Sequence, residues 1–196
     1  SRFDAKQRLF REGELGRFVG IIASGKVKVT LLSVCGEEVI LNVKVPGDMI
    51  DGLTVPPGST HHVTVQSLEP CSVLLWDFVV FQSYLEHIPM LQRNMTRILA
   101  ERLRSLEERF LELATEQVAP RLARTLVRLV QQTPQPTLGS LHIGLSREEL
   151  AQMIGTTLFT VSRLLSDWEA RGVVLAKRKA ILVQDIKSLR TIAELS

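Results

Sequence analysis

Short apolar segments separated by turn residues fill the first 88 positions of the chain. Five of these segments are rich in β-branched residues and partly alternate apolar with polar positions, which is typical of strands; they are residues 19–22, 26–32, 38–45, 62–68 and 72–76. Turn pairs such as Ser24-Gly25 and Pro46-Gly47 lie between them. Many short strands at near-even spacing predict an antiparallel barrel or jelly roll over residues 1–88, with a short helix at 77–87.

A heptad pattern follows at residues 89–118. Apolar residues recur at spacings of 4, 3, 4 and 3, with Arg and Glu between them; they are Leu99, Leu103, Leu106, Phe110 and Leu113. A narrow apolar stripe with charged flanks usually pairs with a second helix. The pattern therefore predicts a long dimerisation helix, and the alternative is a helix that packs on its own domain.

Residues 119–196 form a third predicted region. Pro120 suits the first turn of a helix, and helical periodicity continues through residues 122–130. The Thr-Pro-Gln-Pro segment at 133–136 ends this helix, and residues 141–143 read as a short strand.

A helix-turn-helix is predicted between Ser146 and Trp168. Ser146 and Glu149 have capping-box spacing at the start of a first helix, residues 147–154. Gly155 supplies the sharp turn, and Thr157 can cap a second helix. Two amphipathic helices joined in this way typically present the second helix to the major groove of DNA.

The outward positions of the second helix are the candidate base-reading residues. Arg163 can donate two parallel hydrogen bonds to guanine, and Ser146 and Arg147 can meet phosphate at the start of the first helix. Strands predicted at 173–176 and 180–184 flank a basic tip and form a wing; a solvated turn is the alternative for this tip. The predicted DNA-binding residues are Ser146, Arg147, Thr157, Leu158, Phe159, Thr160, Ser162, Arg163, Lys177, Arg178 and Lys179.

Charge and composition support a polyanionic partner. Residues 119–196 carry eleven Lys and Arg against six Asp and Glu, whereas residues 1–88 carry eight against ten. The sequence has no apolar run of transmembrane length and no signal peptide, and its two cysteines, Cys35 and Cys71, are too few for a disulfide framework. We expect a cytoplasmic protein without a membrane partner. Because Ser1 already lies in a predicted strand, we also expect a preceding segment to be missing.

The order of these motifs resembles that of the CRP/FNR family of bacterial transcription regulators. The resemblance rests on residues 10–14, 24–29 and 46–50 of the roll and on residues 145–169, which include Gly155-Thr156-Thr157. It implies an α+β chain with an N-terminal antiparallel β-roll, a long dimerisation helix and a C-terminal winged helix-turn-helix. It also implies a homodimer on double-stranded DNA, half-sites about one helical turn apart, RNA polymerase as a partner and activation as the default. No catalytic motif or metal-site motif is present in the sequence, so we expect neither an enzyme nor a metal site.

The effector positions depart from the cyclic-AMP-binding branch of the family. Its Gly-Glu-Leu motif falls on Asp51-Gly52-Leu53, its phosphate-binding Arg-Ser pair on His61-His62, and its adenine-contacting Thr-Ser pair on Leu106-Glu107. A cyclic phosphate needs a fixed cation or converging N–H donors. We therefore expect a signal other than cyclic AMP, and we take Gly52, Leu53, His61, His62, Leu106 and Glu107 as effector-pocket candidates.

Other sensing functions stay open. The surface histidine pair His61-His62, with His87 and Cys71, could ligate haem in a haem or nitric-oxide sensor, and Cys35 or Cys71 could sense redox state. A ligand-binding module with a weak DNA-binding domain is the remaining alternative. The sequence identifies neither the effector nor the operator nor the regulated genes.

The reading helix departs from the family as well. Leu158-Phe159 stand where the common pattern has a polar residue followed by Glu. A Glu would accept a hydrogen bond from cytosine N4, whereas Phe159 can only contact an apolar group such as a thymine methyl. We expect a half-site that differs from the familiar family consensus.

Overall fold

The computed structural model describes residues 1–50, 60–132, 141–177 and 180–194. The chain forms two compact units, Ser1–Arg109 and Phe110–Ser196. The effector candidates Gly52 and Leu53 and the wing residues Arg178 and Lys179 lie outside the described residues.

Two four-stranded antiparallel sheets build the N-terminal unit. One has the strand order β1-β8-β3-β6, and the other has the order β2-β7-β4-β5. The strands are β1 (Arg2–Phe3), β2 (Arg8–Phe10), β3 (Phe18–Ser24), β4 (Val27–Leu32), β5 (Glu38–Lys44), β6 (Met49–Ile50), β7 (Thr64–Ser67) and β8 (Cys71–Asp77). The predicted β-roll is therefore confirmed.

Aliphatic side chains fill the interior of the roll. Ile22, Val27, Val65 and Val73 are almost fully buried in one cluster. The turn between β3 and β4 requires Gly25, which has φ of +78°, because a Cβ there would lie 2.5 Å from the carbonyl oxygen of Pro70.

Two helices follow the roll, α1 (Phe78–His87) and α2 (Pro89–Thr115). Asp77 caps α1, since its side chain accepts a hydrogen bond of 2.9 Å from the backbone N–H of Val79. Along α2, Arg102 Nη2 donates to the carbonyl oxygen of Met49 at 2.6 Å, and Arg109 donates to that of Leu41. These contacts fix the first part of α2 against the strands of its own unit.

The C-terminal unit combines helices with a three-stranded sheet of order β10-β11-β9. Its elements are α3 (Val118–Gln132), β9 (Leu141–Ile143), α4 (Arg147–Ile154), α5 (Leu158–Ala170), β10 (Val174–Lys177), β11 (Ala180–Val183) and α6 (Ile186–Glu194). Leu122 and Leu126 of α3 are fully buried, as are Leu150, Leu165 and Leu189 of the other three helices. The core of this unit therefore joins all four helices.

Some predicted boundaries are wrong. The helix predicted to run to residue 118 ends at Thr115, and a new helix begins at Val118, two residues before Pro120. The strand predicted at 62–68 covers only Thr64–Ser67. The strands β2 and β6 and the helix α6 were not predicted from the sequence.

Candidate nucleic-acid interface

The first helix of the predicted helix-turn-helix begins where the capping box places it. The side chain of Ser146 accepts a hydrogen bond of 3.2 Å from the backbone N–H of Glu149, and the Glu149 carboxylate accepts one of 2.9 Å from the backbone N–H of Ser146. The carboxylate also accepts from the Ser146 hydroxyl at 2.9 Å. The Ser146 hydroxyl thus has both its donor and an acceptor contact within the protein. The exposed Glu148 adds a second carboxylate to the first turn of the helix.

The turn between the two helices depends on Gly155. Its backbone is left-handed, with φ of +65° and ψ of +55°, and its N–H donates to the carbonyl oxygen of Ala151. A Cβ at this position would lie 3.2 Å from Leu113 Cδ2. Both the conformation and the space therefore favour glycine, as the sequence predicted.

The second helix, α5, is capped by Thr157, whose side chain accepts a hydrogen bond of 3.2 Å from the backbone N–H of Thr160. Val161, Leu165 and Trp168 form its buried face, and Leu164 beside them is half-buried. A buried stripe on one side leaves the opposite face of α5 open to a partner.

Arg163 lies on this open face. It is exposed, and no hydrogen bond or ion pair holds its side chain within the part of the chain that the structure describes. Leu158 and Phe159, in the first turn, are 51% and 77% exposed. Thr157 is exposed, and Thr160 and Ser162 are half-buried. One face of α5 thus presents a cation beside two apolar side chains that its own chain does not cover.

A β-hairpin lies next to α5 in the chain. β10 and β11 pair antiparallel with Lys177 opposite Ala180, so the exposed Lys177 stands at the end of the hairpin. Glu169 Oε1, in the last turn of α5, accepts a hydrogen bond of 3.2 Å from the backbone N–H of Ala176. This contact ties the hairpin to the helix.

Arg147 is the first residue of α4. It is half-buried, and its Nε has no hydrogen-bond partner within the described residues.

The predicted dimer stripe is uncovered in the single chain. Leu99, Leu103, Leu106, Phe110 and Leu113 are between 39 and 75% exposed. The alternative of a helix that covers this stripe with its own domain does not match the exposure of these side chains.

Four of the six effector candidates, His61, His62, Leu106 and Glu107, lie within the described residues. His61 is 6% exposed and stacks on Phe10, with ring centroids 4.0 Å apart and planes at 19°. The prediction of a surface histidine pair is therefore wrong for His61, although His62 is exposed. Leu106 and Glu107 are exposed on α2. His61 lines a partly open pocket of about 200 Å³ together with Phe3, Leu9, Phe10, Glu14, Leu15, Arg17, Phe18, Gly20, Ile50 and Leu75.

The two thiols lie in different environments. Cys35 is exposed, whereas Cys71 is buried in the roll, and desolvation followed by the charge of Glu69 raises the pKa of its thiol. Within the described ranges, no three His, Cys, Asp or Glu side chains lie together as metal ligands. None of the helices in those ranges is long and apolar enough to cross a bilayer.

A two-sheet roll, a long helix and a helix-turn-helix with a neighbouring hairpin define a winged-helix transcription regulator. The model of the Crp-like helix-turn-helix domain matches residues 120–192, and that of the cyclic nucleotide-binding domain matches residues 1–87. The CRP-like cAMP-activated global transcriptional regulator of Mycobacterium tuberculosis is 30% identical over 192 residues, which cover 95% of this chain and 84% of the relative. The chain belongs to the CRP/FNR family, whose members are DNA-binding transcription regulators and not enzymes.

Further relatives agree with this assignment. The transcriptional activator protein anr of Pseudomonas aeruginosa is 27% identical over 187 residues, covering 94% of this chain and 76% of the relative. The structure of FixK2 from Bradyrhizobium japonicum has a TM-score of 0.85 at 21% identity and covers 98% of this chain and 95% of that one. The FixK2 similarity supports the fold alone.

Proposed function

We propose that the chain acts as a homodimer that reads an inverted repeat in double-stranded DNA through α5 and activates transcription, with RNA polymerase as its second partner. The observation that supports this most is the exposed Arg163 on a helix whose start is fixed by Thr157 and whose buried face packs in the unit core. Thr157, Leu158, Phe159, Thr160, Ser162 and Arg163 would face the bases. Arg147, Lys177, Arg178 and Lys179 would face the phosphate backbone, whereas the backbone N–H and the hydroxyl of Ser146 are held by Glu149.

The proposed dimer forms along the exposed stripe of α2. If Leu103 and Phe110 occupy a positions and Leu99, Leu106 and Leu113 occupy d positions, Arg102 and Glu107 fall at g and e. Because Arg102 is held by the carbonyl oxygen of Met49 in its own chain, the apolar a and d positions are the ones that would carry the pairing. We assign residues 1–88 to sensing, 89–118 to dimerisation and 119–196 to DNA binding.

We infer that cyclic AMP is not the signal, although the M. tuberculosis relative carries cAMP activation in its name. His61 takes the place of the family's phosphate-binding Arg, and it packs against Phe10 inside the roll. Leu106 and Glu107 supply no hydroxyl for an adenine base. Isothermal titration of the purified chain with cyclic AMP should show no saturable heat. Binding that saturates at micromolar nucleotide would contradict this inference.

The experiment that tests DNA reading compares two substitutions on duplexes with and without a binding sequence. Arg163→Ala should weaken specific binding about tenfold to a hundredfold, because a bidentate contact to guanine is lost, and leave non-specific binding nearly unchanged. Lys177→Ala should weaken both and reduce the salt slope by about one, because it removes a phosphate contact. Unchanged specific affinity of the Arg163 variant would refute α5 as the reading helix.

A further inference from the structure

Three arginines form a row on α3 opposite the end of α2. Arg128 holds the Glu112 carboxylate through two hydrogen bonds, Nη1 to Oε1 at 2.6 Å and Nη2 to Oε2 at 3.0 Å. Arg124 Nη1 lies 2.5 Å from Glu116 Oε1 and 3.7 Å from Glu112 Oε1. Arg121 Nη1 donates to the carbonyl oxygen of Glu116 at 2.9 Å. We call these five residues the carboxylate clamp.

The clamp is more buried than an ordinary surface ion pair. Glu112 is 7% exposed, whereas the side chains of its partners Arg128 and Arg124 are 27% and 32% exposed, so the carboxylate is the buried half of these pairs. Removing one partner of a buried ion pair leaves the other charge without compensation and costs far more than breaking an exposed pair. The geometry of the bidentate pair also fixes both side chains, since two parallel hydrogen bonds set direction as well as distance.

Two of the same arginines reach the other helices of the C-terminal unit. Arg121 Nη2 donates to the carbonyl oxygen of Ile154, the last residue of α4, at 3.3 Å. Arg124 Nη2 donates to the carbonyl oxygen of Ala193 in α6 at 2.6 Å. Leu113, the last residue of the dimer stripe, lies against Gly155 in the helix-turn-helix. The end of α2 thus contacts α3 and the turn after α4, and α3 in turn contacts α4 and α6.

We propose that the carboxylate clamp positions α5 relative to the last residues of the dimer stripe and thereby determines which spacing of DNA half-sites the dimer accepts. This inference rests on the proposed function, because it presumes that two copies read DNA. Its residues touch no DNA in this account; they act as positioning residues through α2, α3 and α4. When the clamp is broken, each α5 still binds its own half-site. The distance between the two α5 helices of the dimer is then no longer fixed.

The decisive variant is Glu112→Gln, which keeps the shape of the side chain and removes its charge. Glu108→Gln, one turn earlier on the same helix and exposed, is the matched control. The DNA probes are a palindrome selected by the wild-type protein from random duplexes, the same palindrome with its spacer one base pair longer or shorter, and a duplex with a single half-site. Thermal unfolding and sedimentation equilibrium check that each variant is folded and dimeric.

Glu112→Gln should bind the single half-site like the wild type, lose about tenfold in affinity for the selected palindrome and discriminate little between the three spacers. Glu108→Gln should keep the wild-type spacing profile. Arg128→Lys, which keeps the charge but not the bidentate geometry, should lie between the two. If Glu112→Gln does not fold, Arg124→Lys removes the contact to Ala193 at a side chain that is 32% exposed and is tested in the same way.

A wild-type spacing profile in the folded clamp variants would overturn the inference while leaving the proposed function intact. Equal losses on the half-site and on all palindromes would also overturn it, because they would show a role in stability alone. If the wild-type protein selects no sequence at all, the proposed function fails and the clamp inference fails with it.

Discussion

Single residues fix where the helices of the DNA-binding unit begin and turn. Ser146 and Thr157 each satisfy a backbone N–H that no helical carbonyl can reach, and Gly155 adopts a conformation that costs other residues energy. Their roles are local, so their positions in the sequence suffice to predict them.

Gly155→Ala should lower the free energy of unfolding by about 1–2 kcal/mol or more, because a Cβ is strained at positive φ and also crowds Leu113. Gly172→Ala is the matched control. It has φ of +72° with nothing within 4 Å of a Cβ, so it should show the backbone strain alone. Urea unfolding of both variants measures the difference, and equal losses would argue against the contact with Leu113.

Burial predicts a difference between the two thiols. The raised pKa of Cys71 leaves less thiolate at any given pH, and the side chain is also shielded from reagents. A disulfide reagent at mildly alkaline pH should therefore modify Cys35 quickly and Cys71 only on unfolding or at higher pH, with Cys35→Ser as the control. Rapid modification of Cys71 in the folded Cys35→Ser protein would contradict its placement and would reopen the redox alternative.

The burial of His61 could not be predicted from the residues near it in the sequence. Its contact with Phe10 joins positions fifty-one residues apart in the sequence, and nothing near His61 in the chain signals an aromatic partner. The contacts of the arginines in the carboxylate clamp could not be predicted locally either. The amphipathic pattern of α3 would be the same if these arginines met no carboxylate.

At the scale of whole elements, α2 presents an apolar stripe that its own chain leaves exposed. Leu106→Glu should convert the proposed dimer to monomers, because it places a carboxylate in the seam. Leu111→Glu is the same change at a leucine that is 62% exposed but does not occupy an a or d position of the heptad. It should leave the dimer intact. Sedimentation equilibrium separates these outcomes; a Leu106→Glu protein that stays dimeric would place the interface elsewhere.

Elements with long or regular patterns were predictable from the sequence, and of the very short strands β9 was predicted but β6 was not. The extent of α4 and the start of α5 follow from caps and periodicity, whereas β6 has two residues and cannot show alternation. The start of α6 did have a signal in the sequence, because Asp185, a residue that often caps helices, directly precedes it. In the structure, Asp185 Oδ1 accepts hydrogen bonds from the backbone N–H groups of Lys187 and Ser188 at 2.9 and 3.1 Å. The hydrogen bond from the Ser188 hydroxyl, followed by that from the Ser188 backbone N–H, lowers the pKa of Asp185.

At the scale of the whole molecule, the positive charge is concentrated in the part that carries the reading helix. Residues 119–196 have a net charge of +5, whereas residues 1–88 have −2. Attraction to phosphate is therefore expected from the C-terminal region, and specificity from the bases that Arg163 and its neighbours contact.

The central claim is that two copies place α5 in successive major grooves on one side of a duplex. Selection of bound sequences from a pool of random duplexes tests it most directly. The account predicts an inverted repeat whose half-sites are centred about 10–10.5 base pairs apart and which is not recovered with Arg163→Ala. Recovery of sequences without twofold symmetry, or of the same repeat with the Arg163 variant, would contradict the account.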